Sequence, residues 1–223
     1  MRRTIFVVVA AMLATSLGSL LSTGDAFGVT QNCTGSFSGS FTGTISVPAG
    51  AVCSLQGASI TGNVSVLPRG ALIVGGGTII TGNLSATNAG TASGNPFGTG
   101  AENFSVIVCN SKVNGKTSVT GSVSQVLLGG TSSTGGGCGG NSFGNNVALT
   151  SNKGRVTVSD NGGVCAAPGG TCGITGSLAL TSNKPGPVTV TNNTITGPLS
   201  CTLNNGVTSS GNTAASKNGQ CTA

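Results

Sequence analysis

Few residues in this chain are equipped for acid–base chemistry. Three of its 223 residues are acids (Asp25, Glu102 and Asp160), and there is no His, Trp or Tyr. Without His the commonest general base and metal ligand is missing. Hydrolysis by paired carboxylates needs two acids about 5–9.5 Å apart across one cleft. Glu102 and Asp160 are separated by 58 positions. Calcium sites want several oxygen ligands with charge among them, so no metal or cofactor is expected. Arg69 and Arg155 remain as bases for a lyase-type reaction, and nothing beside either one marks it. Phe97 and Phe104 flank Glu102 and are the best-placed aromatic contacts for a sugar. The reading is a chain with no catalytic constellation.

Sulfur is the other reactive chemistry. Cys33, Cys53, Cys109, Cys138, Cys165, Cys172, Cys201 and Cys221 all follow an N-terminal segment that reads as an export signal. Met1-Arg2-Arg3 supplies its positive start and Ile5 to Leu21 its apolar run, with a small-residue cleavage site after Ala26 or Gly28. An even Cys count in an exported chain argues for disulfides. A zinc site would lack His, and no Cys-x-x-Cys pair occurs. The expected organisation is a signal peptide over 1–26 and one domain over 27–223. The protein is expected to be secreted or held at the cell surface, with no membrane span after cleavage. Its basic residues beyond the leader (Arg69, Lys112, Lys116, Lys153, Arg155, Lys184 and Lys217) are scattered, so no nucleic-acid partner is expected.

The elements that would position these groups come from a repeated phrase. Ile60-Thr61-Gly62-Asn63-Val64-Ser65-Val66 recurs around Gly43, Gly82, Gly121, Gly144, Gly176 and Gly197. The gaps cluster near 20; the gap of 39 is read as two periods, with a degenerate copy near Glu102 to Val108, and the gap of 32 as one carrying an insertion. A fixed period of this size means a solenoid. Within each copy the apolar residues alternate, as in Ile45/Val47, Val64/Val66 and Leu178/Leu180, which is the mark of a half-buried strand. Second strands follow about ten residues on, at Ala71–Val74, Val156–Ser159 and Val188–Thr191. Gly- and Asn-rich corners separate them. The expectation is an all-β parallel β-helix of about 20 residues per coil, with loops near 88–103, 129–142 and 162–173. Phe41 and Phe143 take the Ile position of the phrase and are expected in the core.

Coils of that length place Cys33 beside Cys53 and Cys201 beside Cys221, each pair at one position on neighbouring coils about 4.8 Å apart. Cys165–Cys172 would close the 162–173 loop, and Cys109–Cys138 the loop 129–142. Outward pairs such as Thr157/Ser159 and Thr189/Thr191 suggest an ice-binding face, but the sequence shows only two such neighbours. The five Asn-x-Ser/Thr matches (Asn32, Asn63, Asn83, Asn103 and Asn192) are what so Ser/Thr/Asn-rich a chain produces by chance.

The phrase around Ile60–Val66, with Gly137-Cys138-Gly139-Gly140-Asn141, Asn192-Asn193 and Lys217-Asn218-Gly219-Gln220-Cys221, resembles the right-handed parallel β-helix proteins of pectate-lyase-like fold. More narrowly it resembles small secreted β-helix proteins of high-GC Gram-positive bacteria. The resemblance covers roughly 42–221 and implies fold, handedness and export. The enzymes of that class carry acidic clusters that this chain lacks. The expected function is a secreted, non-catalytic structural or surface-interaction protein. The alternative is an extracellular polysaccharide-binding or polysaccharide-degrading protein. Expected partners are cell-wall or extracellular polysaccharide, or a second copy of the chain. Peptide mapping of the non-reduced protein should recover Cys33 joined to Cys53 and Cys201 joined to Cys221; a different partner for Cys33 would break the coil arithmetic.

Overall fold

The computed structural model describes residues 28–94, 96, 102–130, 138–164 and 170–222. The expected leader, Phe97 and Cys165 lie outside the described residues. Among those described there is no helix, and short strands build three stacked sheets.

Sheet A runs Thr30–Asn32, Thr44–Val47, Val64–Val66, Leu84–Thr87, Thr117–Thr120, Val147–Thr150, Leu178–Thr181, Pro198–Thr202 and Ser216–Gly219. Sheet B runs Gly35–Phe37, Val52–Gln56, Ala71–Gly75, Phe104–Val108, Gln125–Leu128, Val156–Ser159, Val188–Thr191 and Val207–Ser210. Sheet C is narrower: Ser40–Thr42, Ser59–Thr61, Ile79–Ile80, Lys112–Val113, Ser142–Phe143 and Thr171–Ile174. Neighbours in each sheet pair in parallel; Gly163–Val164 alone adds an antiparallel edge, against Thr171–Cys172. The chain visits C, A and B in turn, so each coil is a parallel β-helical turn. The inward residues of the strands between the two ends, such as Ile45, Val64, Leu84 and Leu178 in sheet A, are fully buried in one continuous core. Phe143 is buried among them, and Phe41 packs half-buried at the N-terminal end.

The stacking separations differ from a uniform period. Asn83 donates its backbone N–H to Asn63 Oδ1 across 20 residues, but Lys116 donates to Asn83 Oδ1 across 33, and Ser177 to Asn146 Oδ1 across 31. Near the C-terminus the Asn183–Asn204 step returns to 21. The gap of 39 is therefore not two periods. Thr117–Thr120 pairs directly with Leu84–Thr87, so Gly115, not Gly121, stacks on Gly82. Phe104–Val108 is no degenerate copy of the phrase; it is the sheet B strand beside Leu72–Val74. The misreading has a simple cause: Val119-Thr120-Gly121 imitates Ile60-Thr61-Gly62, because Thr followed by a left-handed residue ends strands of sheet A as well as of sheet C.

Two buried ladders of asparagine hold the corners. After sheet B, Asn141, Asn161, Asn193 and Asn212 stack on successive coils. Asn161 shows the pattern. Its Oδ1 accepts the backbone N–H and the side-chain amide of Asn141, while its Nδ2 donates to Asn193 Oδ1 and to the Leu128 carbonyl. All four hydrogen-bonding positions of the amide are filled, as burial requires. After sheet A, Asn152, Asn183 and Asn204 repeat the arrangement, and Gln220 closes it by exchanging two bonds with Asn204. The residue before each of these Asn except Asn141 turns the chain with a left-handed backbone, at φ 54° for Ser151, 56° for Asp160 and 57° for Asn192.

Cys33–Cys53, Cys109–Cys138 and Cys201–Cys221 are bonded, with Cα–Cα distances of 5.5, 4.7 and 5.2 Å. The two terminal bridges are diagonal: Gly35, not Cys33, lies beside Cys53, and Gly219 lies beside Cys201. Cys172 is also disulfide-bonded.

Thr117 stands in the inward column between Leu84 and Val147, and its hydroxyl is buried without a hydrogen-bond partner. Thr117→Val should therefore raise stability, by about 1 kcal/mol. Asn193→Ala strips acceptors and donors from Asn161, Asn212 and Val158 together and should cost about 3 kcal/mol or more. Urea unfolding of the two variants checks both signs.

Candidate functional site

The sheet B face explains where the loops go. Ile73, Ile107 and Leu127 point outward from sheet B, yet all three are buried. They form a second, smaller core with Ala71, Ala92, Phe104 and the Cys109–Cys138 bridge. Among the described residues Ala92 and Cys138 contribute to that cover, with an antiparallel bridge between Ala92 and Phe104. Phe104, expected as an exposed sugar contact, is instead a buried member of this cover. Its ring fills space over the apolar patch because no water-facing partner would shield Ile107 otherwise.

Glu102 sits at the rim of the cover and reaches Arg155, which precedes the strand Val156–Ser159. Their Oε1 and Nη1 are 3.3 Å apart, with both side chains partly exposed. The pair lines a shallow hollow of about 320 Å³ with Asn103, Val123, Ser124, Gln125 and Gly154. Asp160 is at the other end of the strand that Arg155 begins, so five residues, roughly 16 Å, separate it from Arg155. It accepts a hydrogen bond from Asn192 Nδ2 at the corner. The two carboxylates are thus held apart along a strand, and each is engaged in a structural contact. Arg69 stands at a different corner, with a left-handed backbone, and its N–H donates to the Asn88 carbonyl. A second hollow, about 200 Å³, is lined by Ser142, Cys172, Ile174 and hydroxyls of Thr171, Thr175, Thr194 and Thr196. Among the described residues no group of three or more potential metal ligands occurs, and no helix is long and apolar enough to cross a membrane.

The outward face of sheet A is different: its side chains are regular and exposed or half-exposed among the described residues. Thr87, Thr120, Thr150, Thr181 and Thr202 stand in register on five successive coils. Two residues before each, on the same face, come Ser85, Ser118, Ala148, Ala179 and Ser200. The result is two parallel files of short side chains, about 4.8 Å apart along the axis and about 6.6 Å apart along the strand. No charged residue lies among these ten. Sheet B adds a smaller array where its cover ends: Thr157/Ser159, Thr189/Thr191 and Thr208/Ser210, three ranks where the sequence showed two. The five-rank file escaped sequence reading because the coils differ in length, so the Thr residues recur at no constant spacing. A recurring signal did exist, in Thr150-Ser151-Asn152, Thr181-Ser182-Asn183 and Thr202-Leu203-Asn204, where Thr, a left-handed residue and the ladder Asn follow in order.

The Asn-x-Ser/Thr matches also have structural employment: Asn63 and Asn83 cap the backbone of the next coil, and Asn192 bonds Asp160. Comparison of the chain with protein-family models, with curated proteins and with solved structures finds no match in any of the three.

An ion pair this exposed contributes little. Glu102→Gln and Arg155→Ala should each shift unfolding stability by less than about 1 kcal/mol, and chemical denaturation at low and high salt reads the difference.

Proposed function

We propose that this chain is an exported, non-catalytic structural or surface-interaction protein, released from its leader after residue 26. In this reading it is a right-handed parallel β-helix of bacterial type, secreted or held at the cell surface. Its basic turn is near 20 residues, and the longer coils are the same turn carrying insertions. The observation that carries the reading is the five-rank file Thr87–Thr202 with its companion file of Ser and Ala on the outward face of sheet A. A regular array of hydroxyls and methyls, without charge or aromatic rings, suits a repetitive polymer better than a single small molecule. Cell-wall or extracellular polysaccharide is the partner of that chemistry. The bridges Cys33–Cys53, Cys109–Cys138 and Cys201–Cys221 are consistent with an oxidising, extracellular setting.

A second reading, a polysaccharide-active protein, rests on the hollow where Glu102 and Arg155 meet beside Asn103 and Gln125. One experiment separates the two. Insoluble wall and plant polysaccharides are incubated with the wild type, with a Thr120→Val/Thr150→Val/Thr181→Val triple variant and with Glu102→Gln. Retention lost in the triple variant, kept in Glu102→Gln and unaccompanied by released sugar supports the surface reading. Soluble product that disappears in Glu102→Gln overturns it. Retention absent from every polymer, with ice recrystallisation inhibited by the wild type and not by the triple variant, reassigns the same face to ice.

A further inference from the structure

The two ends of the solenoid are built differently. At the C-terminal end the last sheet A strand, Ser216–Gly219, places Lys217 beside Leu199, in the column that faces the core on every preceding coil. Lys217 is exposed, with an ammonium where the next coil would need an apolar side chain. An inward-pointing charge on an edge strand is a recognised block against further strand pairing. Gln220 adds a second stop, since its amide folds back on Asn204 and ends the corner ladder.

The side chains of the N-terminal end carry no such charge: no Asp, Glu, Lys or Arg occurs from Ala26 to Pro68. Among the described residues, the three first strands, Thr30–Asn32, Gly35–Phe37 and Ser40–Thr42, each pair on one side only, which leaves a ring of three strand edges. In the column that ends in Lys217, this end carries the neutral, exposed Gln31. Phe37 and Phe41 lie half-buried across the end of the core, and Val29 is 64% exposed beside them. The terminal disulfide Cys33–Cys53 holds this coil to the next.

We propose that the N-terminal end is a self-association surface that joins two copies end to end across a two-fold axis. Three strand edges arranged around one ring are matched by another coil of the same cross-section, which a second copy supplies. The contact is N-terminal end to N-terminal end. A head-to-tail contact would bury Lys217 against a segment that holds no acid to pair with it, and an unpaired buried charge costs several kcal/mol. Rotation about the two-fold axis sets the facing edges antiparallel, lets Phe37 and Phe41 of both copies cover one another, and closes the assembly at two. The end and the sheet A face are separate surfaces, so dimerisation and polymer retention fail independently.

The test uses the exported protein, its N-terminus fixed by intact mass, in sedimentation velocity and light scattering over a concentration series. The wild type is expected as a dimer. Gln31→Lys sets two like charges near the axis and should raise the dissociation constant by about tenfold or more, with the far-UV spectrum unchanged. Lys217→Leu changes the opposite end and should leave the dissociation constant of the dimer unchanged. A monomeric wild type, a dimer indifferent to Gln31→Lys, or a dimer weakened as much by Lys217→Leu as by Gln31→Lys overturns the proposal. So does a monomer that retains residues 1–27, which would point to the chain covering its own end.

Discussion

Every coil of this protein must turn three sharp corners, and a corner leaves backbone N–H and C=O groups that no sheet ladder satisfies. The buried amides answer that demand. Asn161, Asn183 and Asn193 each fill two donor and two acceptor positions, and Asn152 fills two donor positions and accepts the Ser122 N–H. Their amides bind coil to coil in the axial direction, the direction of the sheet hydrogen bonds. The corner is thereby as well bonded as the strands it joins. Before Asn141 the same positions are filled more simply. Thr78 accepts the Ala58 N–H and donates to the carbonyls of Leu55 and Gly75, and Ser111 donates to Cys109. The C-terminal half therefore invests far more side-chain hydrogen bonding in its corners than the N-terminal half.

That constraint explains how coils of unequal length stack in one register. After the connection that follows Leu128 the chain is back in register at Asn141, whose amide donates to the Val108 carbonyl and to Asn161 Oδ1. Beyond Asn161 the register is regained through strand pairing, with Thr171–Ile174 beside Ser142–Phe143. Loop length is then free to vary at small entropic cost. On sheet B, Ala92, Phe104 and Cys138 pack with Ile73, Ile107 and Leu127; on sheet A the Thr file stays exposed or half-exposed among the described residues.

Much of the architecture was legible because it rests on local alternation. Ile45/Val47 and Leu178/Leu180 announce buried strands, and Cys33–Cys53 and Cys201–Cys221 follow from their spacing. The pairings were right although the geometry is diagonal, since a disulfide tolerates a Cα–Cα range wider than one coil spacing. What stayed hidden depends on coil length. Period arithmetic placed Val119 in the wrong sheet because it assumed uniform turns. The Asn ladder was visible only as scattered Asn, for a polar residue type gives no hint that it will be buried until its stacked partner is known. Phe104 read as exposed for a related reason: the apolar patch beneath it belongs to strands on other coils.

The same division governs what the surface can offer. The polar groups able to make strong, directed bonds are largely consumed inside, in amide ladders and corner caps. The sheet A face is left with short hydroxyls and methyls, each capable of a weak contact. Under the proposed function, weak contacts repeated in register would act as linked sites: once one rank engaged a polymer, its neighbours would meet it at high effective concentration. Rigidity matters here, since a flexible array would lose in ordering what it gained in number. The scarcity of acids is then consistent with the architecture. A face that worked by repetition, as proposed, would have no use for one exceptional residue, and a charge within the file would break the equivalence of its ranks.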